Sequence, residues 1–184
     1  LQRWWTLAAE VGDTWHTDHP VIQNCADPAK RVPIGIHGDD AGVQGGEKIR
    51  VLTWGPVVRA MPTLDSRLLF CMLKFAHCTA ATFRMVYLVL AWSLNALAAG
   101  IFPAADHEGR VFSREYMPHR ARLAGKKLAD GILGCWAEMR GDWKFLRESL
   151  LLNRHYNVCR VCHLCSACRS GVNRFTCFGR HAIL

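Results

Sequence analysis

Residues 31–54 read RVPIGIHGDDAGVQGGEKIRVLTW. In Arg31–His37 apolar residues alternate with others, which is the period of a strand with two unlike faces. His37-Gly38-Asp39-Asp40 closes that strand, and Gly42, Gly45 and Gly46 supply a loop or hairpin connection. Lys48–Trp54 (KIRVLTW) is the clearest strand in the chain, with β-branched and aromatic residues in alternation. Two strands joined by a Gly-rich link put a sheet in the first third of the chain. With the helical segments that follow, they predict an α/β or α+β class.

Upstream, Trp4, Leu7, Ala8, Val11 and Trp15 fall at helical spacing and predict an amphipathic helix over Trp4–Trp15. His19-Pro20 and Asp27-Pro28 mark an irregular stretch. His16, Asp18 and His19 in that stretch read as a solvated loop in preference to a metal site. Downstream, Gly55-Pro56 breaks the second strand, and Val57–Met61 is expected to return antiparallel. Thr63 or Asp65 caps an expected helix over Ser66–Cys78, with Leu68, Leu69, Met72 and Phe75 or Ala76 as its stripe. A second helix is expected over Thr82–Ala99, ended by Gly100 and Pro103. Residues 104–120 form a polar loop, and Arg120–Leu128 reads as helical. Its Arg120, Arg122, Lys126 and Lys127 can contact phosphate, although exposed helix faces often look like this. Gly131–Met139 is ambiguous between helix and buried strand, and Trp143–Leu152 is a good helix.

The 184 residues divide into an N-terminal helix and irregular segment (1–28), an α/β domain (29–153) and a Cys/Arg-rich element (154–184). The net charge of +8 is uneven: −2 over 1–58, +4 over 59–139 and +6 over 140–184, where seven of eight cations are Arg. Arg160, Arg169, Arg174 and Arg180, interleaved with Phe175 and Phe178, are candidate nucleic-acid contacts. No basic region followed by an apolar core and a cleavage site opens the chain, so an intracellular setting, nuclear or cytosolic, is expected. From Met85 to Ala105 there is no charge, a length close to the ~20 residues of a bilayer span. Ser93, Asn95, Gly100 and Pro103 favour a central core helix over a membrane anchor.

Five of the nine Cys lie at the C-terminal end, in Cys159-x2-Cys162-x2-Cys165-x2-Cys168 and Cys177-x3-His181. Thiolates are charged and polarisable, and a C-x2-C bend offers two of them to one zinc ion. The run Cys159 to Cys168 cannot easily turn all four sulfurs to one ion, because steps of three rotate around a helix. The preferred zinc set is therefore Cys162, Cys165, Cys177 and His181, with Cys159, Cys168, His155 and His163 in reserve. An iron–sulfur cluster fits less well, since the expected Pro after the last Cys is absent. Free or disulfide-bonded thiols are the remaining alternative. Cys25, Cys71, Cys78 and Cys135 sit in apolar surroundings and read as buried thiols.

Two Gly-Asp steps follow apolar segments: Gly38-Asp39 and Gly141-Asp142. Carboxylates at strand ends can converge on divalent metal for phosphoryl transfer. On residue pattern alone the plainer reading prevails: Gly-Asp is a common turn, and Asp142 caps the helix after it. A phosphate-binding loop is excluded, because Gly42-x2-Gly45-Gly46 lacks a following Lys-Ser/Thr. Neither a Gly-x-Ser-x-Gly elbow nor a His-Glu-x-x-His motif is present.

Several blocks carry a resemblance: Pro33-x3-His37-Gly38-Asp39, Val51-Leu52-Thr53-Trp54, Leu90-Ala91-Trp92-Ser93-Leu94-Asn95-Ala96-Leu97, Arg140-Gly141-Asp142-Trp143-Lys144-Phe145-Leu146 and Cys162-His163-Leu164-Cys165-x-Ala167. Over residues 15–168 the chain resembles a multicopy family of protist proteins with the layout of a transposable-element remnant. The order of strand with Asp, antiparallel strands, helices, strand with Asp, helix and Cys pair is similar to ribonuclease-H-like transposases. That resemblance implies a mixed sheet with helices and a small zinc element after it. It also implies Mg²⁺ held by Asp39 and Asp142, a metal pair at Cys162 and Cys165, and a third acid beyond Leu184. The expected function is a transposase-like, nucleic-acid-binding phosphoryl-transfer domain, incomplete as a catalyst. The alternatives are a non-enzymatic zinc module that contacts nucleic acid or protein, and a small membrane protein anchored by residues 85–105.

Overall fold

A computed structural model describes residues 1–12, 16–43, 45–58, 62–154, 158–160 and 168. Its centre is a four-stranded mixed sheet, with helices packed against it, as an α+β fold requires. In chain order the elements are α1 (Gln2–Glu10), α2 (Pro20–Asn24), β1 (Arg31–Gly42), β2 (Lys48–Pro56), α3 (Thr63–Ser66) and β3 (Leu68–Lys74). They continue as α4 (Ala80–Ala99), α5 (Pro118–Leu123), β4 (Leu133–Gly141) and α6 (Trp143–Ser149). The spatial order is β3-β2-β1-β4.

The hairpin read from residues 31–54 is the spine of this sheet. β1 and β2 pair antiparallel from Ile34↔Pro56 to Gly42↔Lys48. Gly45 and Gly46, both at positive φ, turn the chain between them. β3 adds antiparallel to β2, with a register shift between Leu52 and Thr53. β4 lies parallel to β1, from Arg31↔Leu133 to Gly38↔Gly141, with a shift between Ile34 and Gly35. A parallel neighbour needs a crossover, and α4 with the segment after it provides one.

α4 starts at a reciprocal cap. The Thr79 hydroxyl accepts from the Thr82 amide at 3.3 Å, and the Thr82 hydroxyl accepts from the Thr79 amide at 3.1 Å. It ends at Gly100, whose φ of 66° is left-handed. A β-carbon at Gly100 would also run into Leu133 at the start of β4.

One face of the sheet is covered by α4 and α6. Ile34, Ile36 and Leu52 are buried on that side, together with Leu90 of α4 and Phe145 of α6. Phe145 lies directly over Gly38, where an added β-carbon would stand 2.0 Å from the ring. Tyr87 donates to Ser149 at 2.6 Å and ties α4 to α6. A second cluster joins Trp5, Val21 and Cys135, with Trp4, Ile22, Ala98 and Leu133 around it. Trp5 Nε1 also donates to the Arg31 carbonyl at 3.1 Å, which fixes α1 at the start of β1.

The structure corrects several expectations. Ser66–Cys78 is not a helix: α3 covers only Thr63–Ser66, and Leu68–Lys74 is the edge strand β3. An unbroken apolar run satisfies both periods, and the free edge of β2 decides the matter. β3 is the strand that pairs antiparallel with β2; of Val57–Met61, residues 57–58 are bends and 59–61 lie outside the described residues. The N-terminal helix stops at Glu10, because Gly12 at φ 74° ends it. Arg120–Leu128 is helical only through α5, which ends at Leu123. Gly131–Met139 resolves into β4. Of the four isolated thiols, Cys135 is buried, while Cys25, Cys71 and Cys78 are half-buried.

α4 is long and apolar enough to cross a membrane by length and composition. It packs on β4, yet Leu90 is its one buried residue among those described, which is less enclosure than a central core helix has.

Candidate functional site

Side chains alternate across a strand, so adjacent residues of β1 face opposite sides of the sheet. Ile36 lies in the groove beneath α4, Gly38 lies under Phe145, and Asp40 bonds to α6. His37 and Asp39 therefore point to the other face. There Asp39 lines a shallow depression with His37, Val51, Thr53, Arg67 and Leu69. Asp39 is exposed, and its Oδ1 accepts the amide of Asp40 at 2.8 Å.

Asp142 stands at the same end of the neighbouring strand. Gly38 and Gly141 are register partners in the parallel pair, and each Asp follows its Gly directly. The backbone at Asp142 is still extended (φ −66°, ψ 166°), which carries the strand geometry one residue further. Parallel strands lie about 4.8 Å apart, so the two Asp start from neighbouring points. Asp142 Oδ1 accepts the Phe145 amide at 2.6 Å and caps α6. The capping reading of Asp142 is thus present in the structure. Each carboxylate spends one oxygen on a backbone amide. Among the described residues the second oxygen of each makes no hydrogen bond or ion pair.

The surrounding face is polar. Arg140, the register partner of His37, pairs with Glu138 at 2.7 Å, and both side chains are substantially exposed. Arg67, Thr53 and His37 share a small crevice with them. Two carboxylates with free oxygens, on a sheet face that also carries Arg67 and the exposed Arg140, suit a divalent cation and a phosphate ester. Among the described residues no group of three His, Cys, Asp or Glu lies together as a ready metal cluster.

The covered face holds a polar centre that the sequence reading missed. Arg50 is the register partner of Asp40 and only 3% exposed. Its Nε donates to Asp40 Oδ1 at 2.8 Å, and its Nη2 donates to Glu148 Oε2 at 2.6 Å. Lys144 donates to the second Asp40 oxygen at 2.9 Å. Three rings, Phe75, Phe83 and Phe145, lie within 4.9–5.4 Å of the Arg50 guanidinium. Burial alone would raise the Asp40 pKa. The hydrogen bonds and charges of Arg50 and Lys144 outweigh it and hold the carboxyl below its ordinary range. For Arg50, burial opposes the charge, and the two carboxylates more than restore it. The sequence signal was the alternation itself. Counting by two from Ile34 and Ile36 puts Asp40 inward, and counting by two from Leu52 does the same for Arg50.

Cys162, Cys165, Cys177 and His181, with Arg169, Arg174 and Arg180, lie outside the described residues, as do the reserve ligands His155 and His163. Of that element, Cys159 is exposed, and Arg160 forms an isolated antiparallel bridge with Cys168. His19 uses Nδ1 to accept from the Val21 amide at 3.2 Å, a capping role for α2.

Compared with known proteins, the chain matches no family model, no curated protein and no solved structure.

Proposed function

We propose that this chain is a transposase-derived, nucleic-acid-associated protein with a ribonuclease-H-like core. Asp39 and Asp142 are its first two metal-binding carboxylates. The observation that carries the reading is the parallel register Gly38↔Gly141, which brings two Asp from opposite ends of the sequence to one end of one sheet. The chain order supports it too: strand with Asp, two antiparallel strands, a long helix, then a parallel strand with Asp and a helix. Carboxylate oxygens are hard donors, and the second oxygens of Asp39 and Asp142 fit Mg²⁺ or Mn²⁺. When bound, such an ion would supply Lewis-acid stabilisation of charge at a phosphate. The residues of this chain hold the two oxygens in place. The Asp40 and Phe145 amides orient one oxygen of each, and Phe145 packed on Gly38 fixes α6 against β1.

The test is Mn²⁺ binding, read by water-proton relaxation. Wild-type protein is expected to bind Mn²⁺, and Asp39→Asn and Asp142→Asn each to abolish it. Unchanged binding in both variants would sink the reading.

The Arg160–Cys168 bridge favours a second reading for the C-terminal element. It joins residues on either side of the run that contains Cys162 and Cys165, and a zinc ion bound there would make 154–184 a metal-stabilised module. Metal analysis of purified protein, before and after chelation, tests it. One zinc per chain that is lost on substituting Cys162 or Cys165 is expected, and a metal-free chain would end it.

A further inference from the structure

The segment between α4 and β4 concentrates positive charge on a braced scaffold. Residues 110–127 carry Arg110, Arg114, Arg120, Arg122, Lys126 and Lys127 against a single carboxylate, Glu115. All six cations are exposed. Arg110 pairs weakly with Glu108 at 3.4 Å and lies over the Tyr116 ring. Arg120 lies over the Trp92 ring at 5.5 Å. Arg114, Arg122, Lys126 and Lys127 make no ion pair or side-chain hydrogen bond among the described residues.

The scaffold beneath them is held by internal bonds. Asp106 accepts from the amides of Glu108 and Arg110 at 3.0 and 2.9 Å, and from the Tyr116 hydroxyl at 2.7 Å. Phe112 is buried, and its amide donates to the Ala104 carbonyl at 2.9 Å. Phe102 exchanges two backbone bonds with the 125–126 stretch, and Leu128 donates to Gly100 at 2.8 Å. The Trp92 indole donates to the Ala105 carbonyl at 3.0 Å and anchors the segment on α4. Like charges are thus crowded on backbone that is already ordered, so a polyanion would meet them without a folding cost.

We propose that this segment is a binding surface for the phosphate backbone of a nucleic acid. Arg114, Arg122, Lys126 and Lys127 are the contacting cations. The identity of the polyanion rests on the proposed function. The charge is laid along a rigid segment in the way a repeating polyanion needs. The surface joins the sheet where β4 begins, and Asp142 follows where β4 ends.

The experiment uses the full chain, a fluorescein-labelled 20-base-pair duplex and anisotropy titrations between 50 and 200 mM NaCl. Replacing Arg114, Arg122, Lys126 and Lys127 together by Ala is expected to weaken binding at least tenfold at 100 mM salt. The salt slope should fall by up to about 3.6, since each engaged phosphate of B-DNA contributes about 0.9. Arg114→Lys with Arg122→Lys should keep most of the affinity. Circular dichroism of the fourfold variant should match wild type, because the four exposed side chains make no ion pair or hydrogen bond among the described residues. An unchanged affinity and slope in the fourfold variant would overturn the proposal. So would wild-type protein that ignores the duplex but binds phosphatidylserine vesicles. If Asp39→Asn with Asp142→Asn binds Mn²⁺ as wild type does while the fourfold variant loses the duplex, the carboxylate reading falls and the binding surface stands.

Discussion

The two faces of the sheet treat the same side-chain chemistry in opposite ways. Asp39 and Asp40 are neighbours on β1. Asp40 turns under α6 and is held by Arg50 and Lys144, while Asp39 turns to the open face and keeps one oxygen free. On the covered face, charge serves as structure: Arg50, two carboxylates and three Phe rings bolt α6 and the 75–83 region to the hairpin. On the open face, among the described residues, Asp39 bonds only the neighbouring Asp40 amide and Arg140 pairs only with Glu138. The lesson is that a carboxylate's neighbours in sequence say less about its role than the face it occupies. Substitutions should therefore divide by face, covered ones lowering stability and open ones removing function.

The sharpest way to break this division is Arg50→Met. Removing one member of a buried, hydrogen-bonded charge network strands the others, at a cost of about 3 kcal/mol or more. Urea unfolding should show a correspondingly lower midpoint with a similar slope. A loss below 1 kcal/mol would mean the network is ornamental to stability. Next in size is Gly38→Ala. The new methyl would overlap Phe145, so the ring and α6 must shift, at about 1–3 kcal/mol. Gly42→Ala, with open space around it, is the control and should change little.

Asp142 straddles the two categories and sharpens the comparison. Asp142→Ala removes the cap of α6 and should cost about 1 kcal/mol. Asp142→Asn keeps a capping oxygen, so stability should move by only a few tenths of a kcal/mol while Mn²⁺ binding is lost. Equal stability losses from both variants would make the charge, not the cap, the structural contribution.

The parts of this molecule that were legible in the sequence are those set by local rules. β1, β2 and the Gly turn between them follow from alternation and turn chemistry. The end of α4 follows from Gly100 and the start of α6 from Asp142, while the Thr79 cap begins α4 at Ala80, two residues before the expected Thr82. The misreadings arose where a partner far along the chain decides. Leu68–Lys74 is apolar without alternation, and only the open edge of β2 makes it a strand. β4 stayed ambiguous because its identity comes from pairing with β1, about a hundred residues earlier. The candidate acids were legible as two Gly-Asp steps, but their shared position is a property of that same long-range pairing. The Arg50 centre went unread because its partners come from the register with β1 and from Glu148, 98 residues further along the chain.

Acid provides a finer test of Asp40. Its carboxyl is held below the ordinary range in the folded protein, so folding favours the ionised form. A depressed folded-state pKa contributes stability above the unfolded value, near pH 4, and loses it as pH falls through the folded value. Wild-type stability should accordingly decline below about pH 4, and Asp40→Asn should flatten that decline at the expense of stability at pH 7. Identical acid limbs in the two proteins would show that Arg50 and Lys144 do not favour the charged form.

The smallest expected effect on stability is the most telling. Asp39→Asn alters an exposed side chain whose one bond, to the Asp40 amide, an Asn oxygen can also accept. Its unfolding free energy should stay within about 0.5 kcal/mol of wild type. Its Mn²⁺ binding should nonetheless vanish, because a neutral amide is a poor replacement for a carboxylate at a divalent ion. One residue further along β1, the same Asp-to-Asn change should lower stability at pH 7 and leave Mn²⁺ binding in place. If the two neighbours instead shift stability and metal binding together, strand alternation does not separate structure from function here. The open face would then lose its claim to be the working side of the sheet.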